Sequence, residues 1–132
     1  MYLLDTHVFL WATARSKKLP STVASTIEDA DNDVFVSAVS FWEIAIKVRA
    51  GKLDIGKHDP ADLPSRAMEI GFNLLDLEAD EAAATGQLGE NTHFDPFDRM
   101  LVWQAINRGL TLVTADTTLK RFKSDGLKLL WK

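Results

Sequence analysis

The chain has 132 residues, the size of one compact domain, so residues 1–132 are expected to form a single domain. A hydrophobic fraction of 46% and a charged fraction of 26% are ordinary for a globular protein and exclude a disordered, collagenous or coiled-coil chain. The net charge of -4 argues against a protein that holds nucleic acid through overall basicity, but it allows a nucleic-acid enzyme with a local acidic site.

The first part of the chain alternates short apolar segments with helical patterns. In chain order, the residues predict a strand at Tyr2–Leu4, a helix about Val8–Ala12 that could also extend this strand, a helix from Ser21 or Thr22 to about Ala30, a strand at Val34–Val36 and a helix from Phe41 to Ala50. Ser40 is expected to open the last of these helices, because serine is a common N-cap.

The same alternation continues to the end of the chain. It predicts a helix about Ala61–Ile70, a strand at Phe72–Leu77, a helix at Glu78–Leu88, a helix from Asp95 to Gly109, a strand at Leu110–Val113, a short helix from Asp116 to about Phe122 and a strand at Leu127–Trp131. Strands separated by helices indicate a parallel sheet with both faces covered. The predicted fold class is therefore α/β, with a central parallel sheet of four to five strands.

Several acidic residues lie where strands end or where helices begin. Asp5 directly follows the first strand, Asp116 follows the strand at Leu110–Val113 after two residues, and Glu43 lies in the first turn of the helix after the second strand. Because ligands bind beyond the carboxyl ends of strands in open α/β sheets, these three side chains should share one edge. Asp98 joins them only if the loop from Gly89 to Phe94 returns the chain to that edge.

Carboxylates that converge in this way repel one another, and in water-poor surroundings they take up protons unless a cation is present. Mg²⁺ and Mn²⁺ relieve the repulsion because they prefer oxygen ligands. A carboxylate-held Mg²⁺ that keeps several waters is typical of phosphoryl chemistry. The four acids thus predict a divalent metal site.

Each acid also has a structural interpretation. Ser40 and Glu43 match a capping box, Asp95 and Asp116 are good N-caps, and Asp98 near a helix start favours the helix dipole. Capping does not require an apolar face, however, whereas Glu43 and Asp98 each share a helical stripe with apolar residues. The pattern of the four together favours a functional site.

Four segments resemble the PIN domain, and in particular the small VapC-type ribonuclease toxins of bacterial toxin–antitoxin pairs. They are Leu3–Thr6, Val36–Ile44, His93–Leu101 and Leu112–Asp116, and the match runs over nearly the whole chain. The resemblance maps the acidic quartet of the family onto Asp5, Glu43, Asp98 and Asp116. It implies an endoribonuclease that uses Mg²⁺ or Mn²⁺ to activate water, with Asp5 and Asp98 as direct ligands.

Under the same resemblance, Glu43 and Asp116 would bind the metal directly or through water. Thr114 falls on the polar position of the final motif and could orient a metal-bound water, as could Thr6. Asp95 is either a fifth carboxylate of the site or only an N-cap, and the N-cap is preferred. Arg99 could contact phosphate, although an ion pair with a neighbouring acid is the commoner fate of such a residue.

The resemblance also implies an RNA substrate, a cognate antitoxin and a homodimer. The absence of cysteine fits a cytoplasmic location, and no apolar run approaches the ~20 residues that span a bilayer, so we expect no membrane contact. The alternatives are a PIN nuclease that acts in RNA processing or on DNA, and a non-catalytic α/β metal-binding signalling module. The residues after Val36, Ser37–Ser40, contain no aspartate, which argues against a phosphorylation receiver.

Three of the four tryptophans lie within predicted helices. Trp42 and Trp103 lie in apolar helical runs and are expected in the core. Trp11 is expected either in the core or on a partner surface, since aromatic residues are enriched at interfaces.

Overall fold

A five-stranded sheet forms the centre of the fold in the computed structural model, which describes residues 1–131. The strands are β1 (Tyr2–Leu4), β2 (Val34–Ser37), β3 (Asn73–Leu75), β4 (Thr111–Val113) and β5 (Lys128–Leu130). Their order across the sheet is β3-β2-β1-β4-β5, and every neighbouring pair is parallel. The predicted fold class is confirmed, with the upper of the two predicted strand counts.

Helices connect the strands and cover the sheet. They are α1 (Thr6–Thr13), α2 (Ser21–Glu28), α3 (Ala38–Arg49), α4 (Leu63–Ile70), α5 (Ala79–Ala83) and α6 (Pro96–Arg108), with three 3-10 helices at Pro60–Asp62, Thr85–Gln87 and Thr117–Asp125. Within residues 1–131, none of these helices has the length and apolar character needed to cross a membrane.

Consecutive residues of β1 point to opposite faces of the sheet, as the pleat of a strand requires. Leu3 belongs to a buried cluster that includes Leu101 of α6, and Leu4 belongs to a second buried cluster that includes Phe9 of α1. Both leucines are fully buried. Two apolar layers therefore hold the sheet, one on each side.

The chain leaves β1 at the carboxyl edge of the sheet, and the strands that flank β1 are β2 and β4. Moving from β1, the chain reaches β2 on one side, while β4 lies on the other, so the strand order reverses next to β1. Helix α6 precedes β4, and Gly109 ends this helix in the left-handed conformation (φ 67°) expected of a C-terminal glycine. Because α6 runs antiparallel to β4, its N-terminus lies at the carboxyl edge, as the sequence analysis required for Asp98.

The start of α3 differs from the prediction. The helix begins at Ala38, and Ser37 is the N-cap, accepting a hydrogen bond from the backbone N–H of Val39 (3.0 Å). Ser40 and Glu43 therefore lie inside the helix, and both are buried. Glu43 is therefore not in the first turn of α3, and the capping-box interpretation is wrong. The helix is capped by Ser37, three residues before Ser40.

Candidate active site

One open cavity of about 480 Å³ lies at the carboxyl edge of the sheet, and carboxylates dominate its lining. It is lined by the four predicted acids, Asp5, Glu43, Asp98 and Asp116, together with Asp95. The acids come from four separate elements of the chain, so the fold brings the predicted set to one place.

Asp5 is held by two hydrogen bonds. As the N-cap of α1, its Oδ1 accepts from the backbone N–H of Thr6 (2.7 Å), and its Oδ2 accepts from Thr114 Oγ1 (2.6 Å). Burial raises the pKa of Asp5, and the hydrogen bonds from Thr114 and Thr6 offset this only in part. Its charge is thus incompletely compensated by the protein.

Glu43 is buried on the side of α3 that faces α1. Its Oε1 accepts a hydrogen bond from Thr6 Oγ1 (2.6 Å), and Thr6 Oγ1 also lies 2.9 Å from Ser40 Oγ. Its Oε2 forms an ion pair with Lys47, one helical turn further along α3. Burial disfavours the charged form of Lys47, but the hydrogen bond and charge of Glu43, with the charge of Asp95, raise the pKa of Lys47.

Asp98 lies in the first turn of α6, and its side chain is 21% exposed. Its Oδ2 is 2.9 Å from His93 Nε2, and its backbone N–H donates to Asp95 Oδ1 (2.9 Å). Burial raises the pKa of Asp98 to about 6; the His93 hydrogen bond opposes this shift, and the charges of Asp95 and Asp5 add to it. The negative charge of Asp5, which lines the same cavity, thus disfavours ionisation of Asp98.

Asp116 both caps a helix and lines the cavity. Its Oδ1 accepts from the backbone N–H (2.9 Å) and from Oγ1 (2.6 Å) of Thr118, at the start of the 3-10 helix. Its own backbone N–H donates to Thr114 Oγ1 (3.0 Å), so Thr114 links Asp116 to Asp5. The predicted N-cap role of Asp116 is confirmed.

The residues predicted to support the acids act on the protein itself. Thr6 and Thr114 hydrogen-bond carboxylates of the cavity, and Asp95 is the N-cap of α6, as preferred from the sequence, while also lining the cavity. Arg99 does not line the cavity, and among residues 1–131 it forms no ion pair; its Nη1 donates to the backbone carbonyls of Glu90 (2.8 Å) and His93 (3.0 Å). Arg99 thus holds the loop before α6, and its contact with phosphate stays a prediction.

The cavity offers carboxylate oxygens as ligands for Mg²⁺ or Mn²⁺. Oxygen ligands of this kind are the ones that these ions prefer. Within the described part of the chain, however, no three acidic or imidazole side chains converge as a ready-made coordination shell. Lys47 and His93 hold Glu43 and Asp98, so a bound cation would have to compete with these two residues. The set fits the ion in chemistry, and its final geometry requires side chains to move.

Sequence reasoning missed both of these basic partners. Lys47 follows Glu43 by four residues, a spacing that places two helical side chains side by side and could have revealed the pair. His93 reaches Asp98 across a loop that Asp125 holds by accepting hydrogen bonds from the backbone N–H groups of Gly89 (2.8 Å) and Glu90 (3.1 Å). No spacing rule predicts that contact.

The predicted core tryptophans separate in the structure. Trp103 packs against a buried cluster, as predicted. Trp42 is 59% exposed, so its assignment to the core is wrong; it packs instead on Phe97 of α6, with ring centroids 5.2 Å apart. Trp11 is half-buried and lines the acidic cavity.

The chain is similar to known proteins over most of its length. A family model described as "PIN domain" matches residues 2–124. The chain is 27% identical over 129 residues to Ribonuclease VapC22 of Mycobacterium tuberculosis (strain ATCC 25618 / H37Rv). The matched region covers 98% of this chain and 97% of that protein.

Solved structures share the fold of this chain. VapBC2 from Rickettsia felis, bound to a DNA fragment from its promoter, has a TM-score of 0.68 at 21% identity, covering 99% of this chain and 98% of that chain. FitAB bound to an IR36 DNA fragment has a TM-score of 0.68 at 20% identity, covering 100% and 96%. FitAcB from Neisseria gonorrhoeae has a TM-score of 0.65 at 19% identity, covering 98% and 96%.

Proposed function

Because this chain belongs to the PIN-domain family, we propose that it is a metal-dependent endoribonuclease and the toxin of a toxin–antitoxin pair. The observation that carries the proposal is the cavity shared by Asp5, Glu43, Asp98 and Asp116. The relative named Ribonuclease VapC22, matched over almost its full length, supports RNA as the substrate.

Asp5 and Asp98 are the proposed direct ligands of Mg²⁺ or Mn²⁺. Burial raises the pKa of both carboxylates, so a bound cation would offset the cost of their charge. Glu43 and Asp116 would bind the ion directly or through water. When bound, the ion supplies an activated water and stabilises charge on the leaving oxygen of the phosphodiester.

The neighbouring residues have defined tasks in this proposal. Thr114 and Thr6 fix the orientation of the Asp5 and Glu43 carboxylates through hydrogen bonds of 2.6 Å each. Lys47 offsets the charge of Glu43 at the wall of the cavity. Holding carboxylates in place before substrate binds lowers the cost of organising the site during the reaction.

The partners in this proposal are a cognate antitoxin, which would keep the nuclease inactive, and a second copy of the chain. The solved relatives that share the fold are the VapBC2 and FitAB complexes named above. A cytoplasmic location follows from a role on cellular RNA. Copurification of the chain with the product of a neighbouring small gene, followed by sedimentation analysis of the isolated chain, tests both partners.

Cleavage of RNA by the purified chain in Mn²⁺ tests the enzymatic proposal. Asp5→Asn and Asp98→Asn should each lower the rate by at least about 100-fold, because each removes a proposed ligand of the ion. Asp62→Asn is the matched control, since Asp62 is exposed and has no side-chain capping bond. Undiminished cleavage by the Asp5→Asn variant, or in excess chelator, contradicts the mechanism, and preferential cleavage of DNA favours the alternative PIN nuclease.

A further inference from the structure

Aromatic side chains form one wall of the acidic cavity. His7 and Trp11 lie four residues apart on α1 and therefore on the same side of that helix. Their ring centroids are 6.1 Å apart with planes tilted by 32°, and both residues line the cavity together with Asp5. We call this pair the aromatic ledge.

The ledge is supported from behind and open in front. The ring of Trp11 contacts that of Trp131, with centroids 5.9 Å apart, and both rings pack partly buried against a core cluster. His7 is exposed. Lys18, also exposed and also lining the cavity, lies with its Nζ 5.6 Å from the Trp11 ring centroid. A partly buried indole, an exposed imidazole and an exposed ammonium group thus line the cavity together with Asp5.

We propose that the aromatic ledge is a nucleobase-binding subsite, on which an unpaired base of the RNA stacks beside the phosphodiester that is cut. Lys18 then contacts an adjacent phosphate. The inference rests on the proposed ribonuclease function. It adds a substrate class to that function, namely RNA with an unpaired and unstacked base at the cleavage site.

Two physical arguments support a base as the occupant. Proteins recognise single-stranded RNA by stacking unpaired bases on aromatic side chains, since every base offers a flat face. An exposed cation over an aromatic ring is held less tightly than a stacked base, so a base can displace Lys18 from Trp11. The displaced ammonium remains within reach of the backbone of the same RNA.

The position of the other tryptophans makes Trp11 the relevant one. Of the four, all of which lie in the described residues, Trp11 is the one that lines the cavity. Trp42 is exposed but lies outside the cavity lining, so it provides a matched control for the loss of an accessible indole.

The test is equilibrium binding of a labelled, unstructured RNA oligonucleotide in Mn²⁺ to protein carrying Asp98→Asn, which blocks turnover. Adding Trp11→Leu should weaken binding about tenfold, and Trp11→Phe should restore most of it, because a phenyl ring still stacks. Trp42→Leu should leave binding unchanged. Lys18→Met should lower the slope of log affinity against log salt by about 0.7, whereas Trp11→Leu should not change the slope.

A second arm uses the same strand paired into a duplex. Since its bases are already stacked, Trp11→Leu should make no difference there. Should Trp11→Leu fail to fold, His7→Ala decides the question, because His7 is exposed: severalfold weaker binding of the single strand supports the subsite, and unchanged binding overturns it.

The two proposals fail in different ways. If wild-type protein cleaves RNA while the Trp11 and His7 variants bind single strands like their parent, the subsite is overturned and the nuclease stands. If base-dependent binding is present but wild-type protein cleaves no RNA in Mn²⁺, the nuclease is overturned and only the base-binding role of the aromatic ledge stands. If neither binding nor cleavage occurs, both are overturned.

Discussion

Glu81 on α5 and Asp98 on α6 are both carboxylates largely withdrawn from solvent, yet their pKa values move in opposite directions. Burial alone would raise the pKa of Glu81, but hydrogen bonds from Arg108 and Gln104 lower it to about 2. Arg108 donates to both carboxylate oxygens (2.8 and 3.0 Å), and Gln104 donates to Oε1 (3.0 Å). Asp98, with one imidazole and two nearby acids, has a pKa raised to about 6.

The two carboxylates differ in how far neighbouring residues compensate their charge. Hydrogen bonds from Gln104 and Arg108 of α6 compensate the negative charge of Glu81. Glu81 therefore links α5 to α6 without a bound ion. The carboxylates of the cavity are compensated only in part, so their ionisation lowers the stability of the fold. A cation bound in the cavity would offset that cost. Burial by itself is therefore a poor guide to function, whereas burial without enough resident donors is informative.

The largest effect on stability is expected when the Glu81 network is broken. Glu81→Gln keeps the shape but removes the charge that Arg108 faces, and should lower the free energy of unfolding by about 2 to 3 kcal/mol, the usual worth of hydrogen bonds to charged groups. Urea unfolding measures this, with the exposed Asp80→Asn as control. A loss as small as that of the control would mean that the network contributes little.

The same network should give the protein a defined dependence on acid. The folded-state pKa of Glu81 lies below its ordinary value of 4.5, so its stabilisation is present above pH 4.5 and is lost as the pH falls towards about 2. Unfolding curves between these pH values should show wild type and Glu81→Gln converging. Parallel curves throughout that window would contradict the assignment.

Asp98→Asn should have the opposite sign and a smaller size. Because the folded-state pKa of Asp98 lies above its ordinary value of 3.8, ionising it costs stability as the pH rises through about 6. At pH 7 without metal, the variant should be more stable by about 1 to 2 kcal/mol, less than the full shift because the side chain is partly solvated. The gain should vanish below pH 3.8, and a gain that persists there would point to another cause.

The smallest effect is expected at Lys47. Lys47→Met removes the ammonium that holds the buried Glu43 carboxylate, so Mn²⁺ should bind a few-fold more tightly, because the cation no longer competes with Lys47 for that carboxylate. Calorimetric titration of Mn²⁺ measures the change. Arg49→Met, an exposed charge on the same helix, is the control. Weaker Mn²⁺ binding by the Lys47 variant would instead mean that Lys47 helps to build the site.

The sequence predicted what depends on topology and local pattern. Strand ends and helix starts placed Asp5, Glu43, Asp98 and Asp116 at one edge, and all four line the same cavity. It failed where neighbours distant in the chain decide. Trp42 is exposed because the stripe of α3 that contains it faces outward beside Phe97, which the apolar run alone does not reveal.

The Glu81 network shows the same limit. Its partners Gln104 and Arg108 follow Glu81 by 23 and 27 residues, and no local spacing links them. Ser37 and Ser40 illustrate a smaller error, since both fit a helix N-cap and only the end of β2 decides between them. Position along the chain thus predicted which acids meet in the cavity, whereas the donors that distinguish Glu81 from them could be found only from the fold.

The most direct measurement is a calorimetric titration of Mn²⁺ into wild-type, Asp5→Asn and Glu81→Gln protein. The cavity acids are expected to form the metal site and Glu81 is not, so wild type and Glu81→Gln should bind Mn²⁺ alike, and Asp5→Asn should lose most of the affinity. Equal binding by Asp5→Asn and wild type, or no binding by wild type, would contradict the assignment of the acidic cavity as the metal centre.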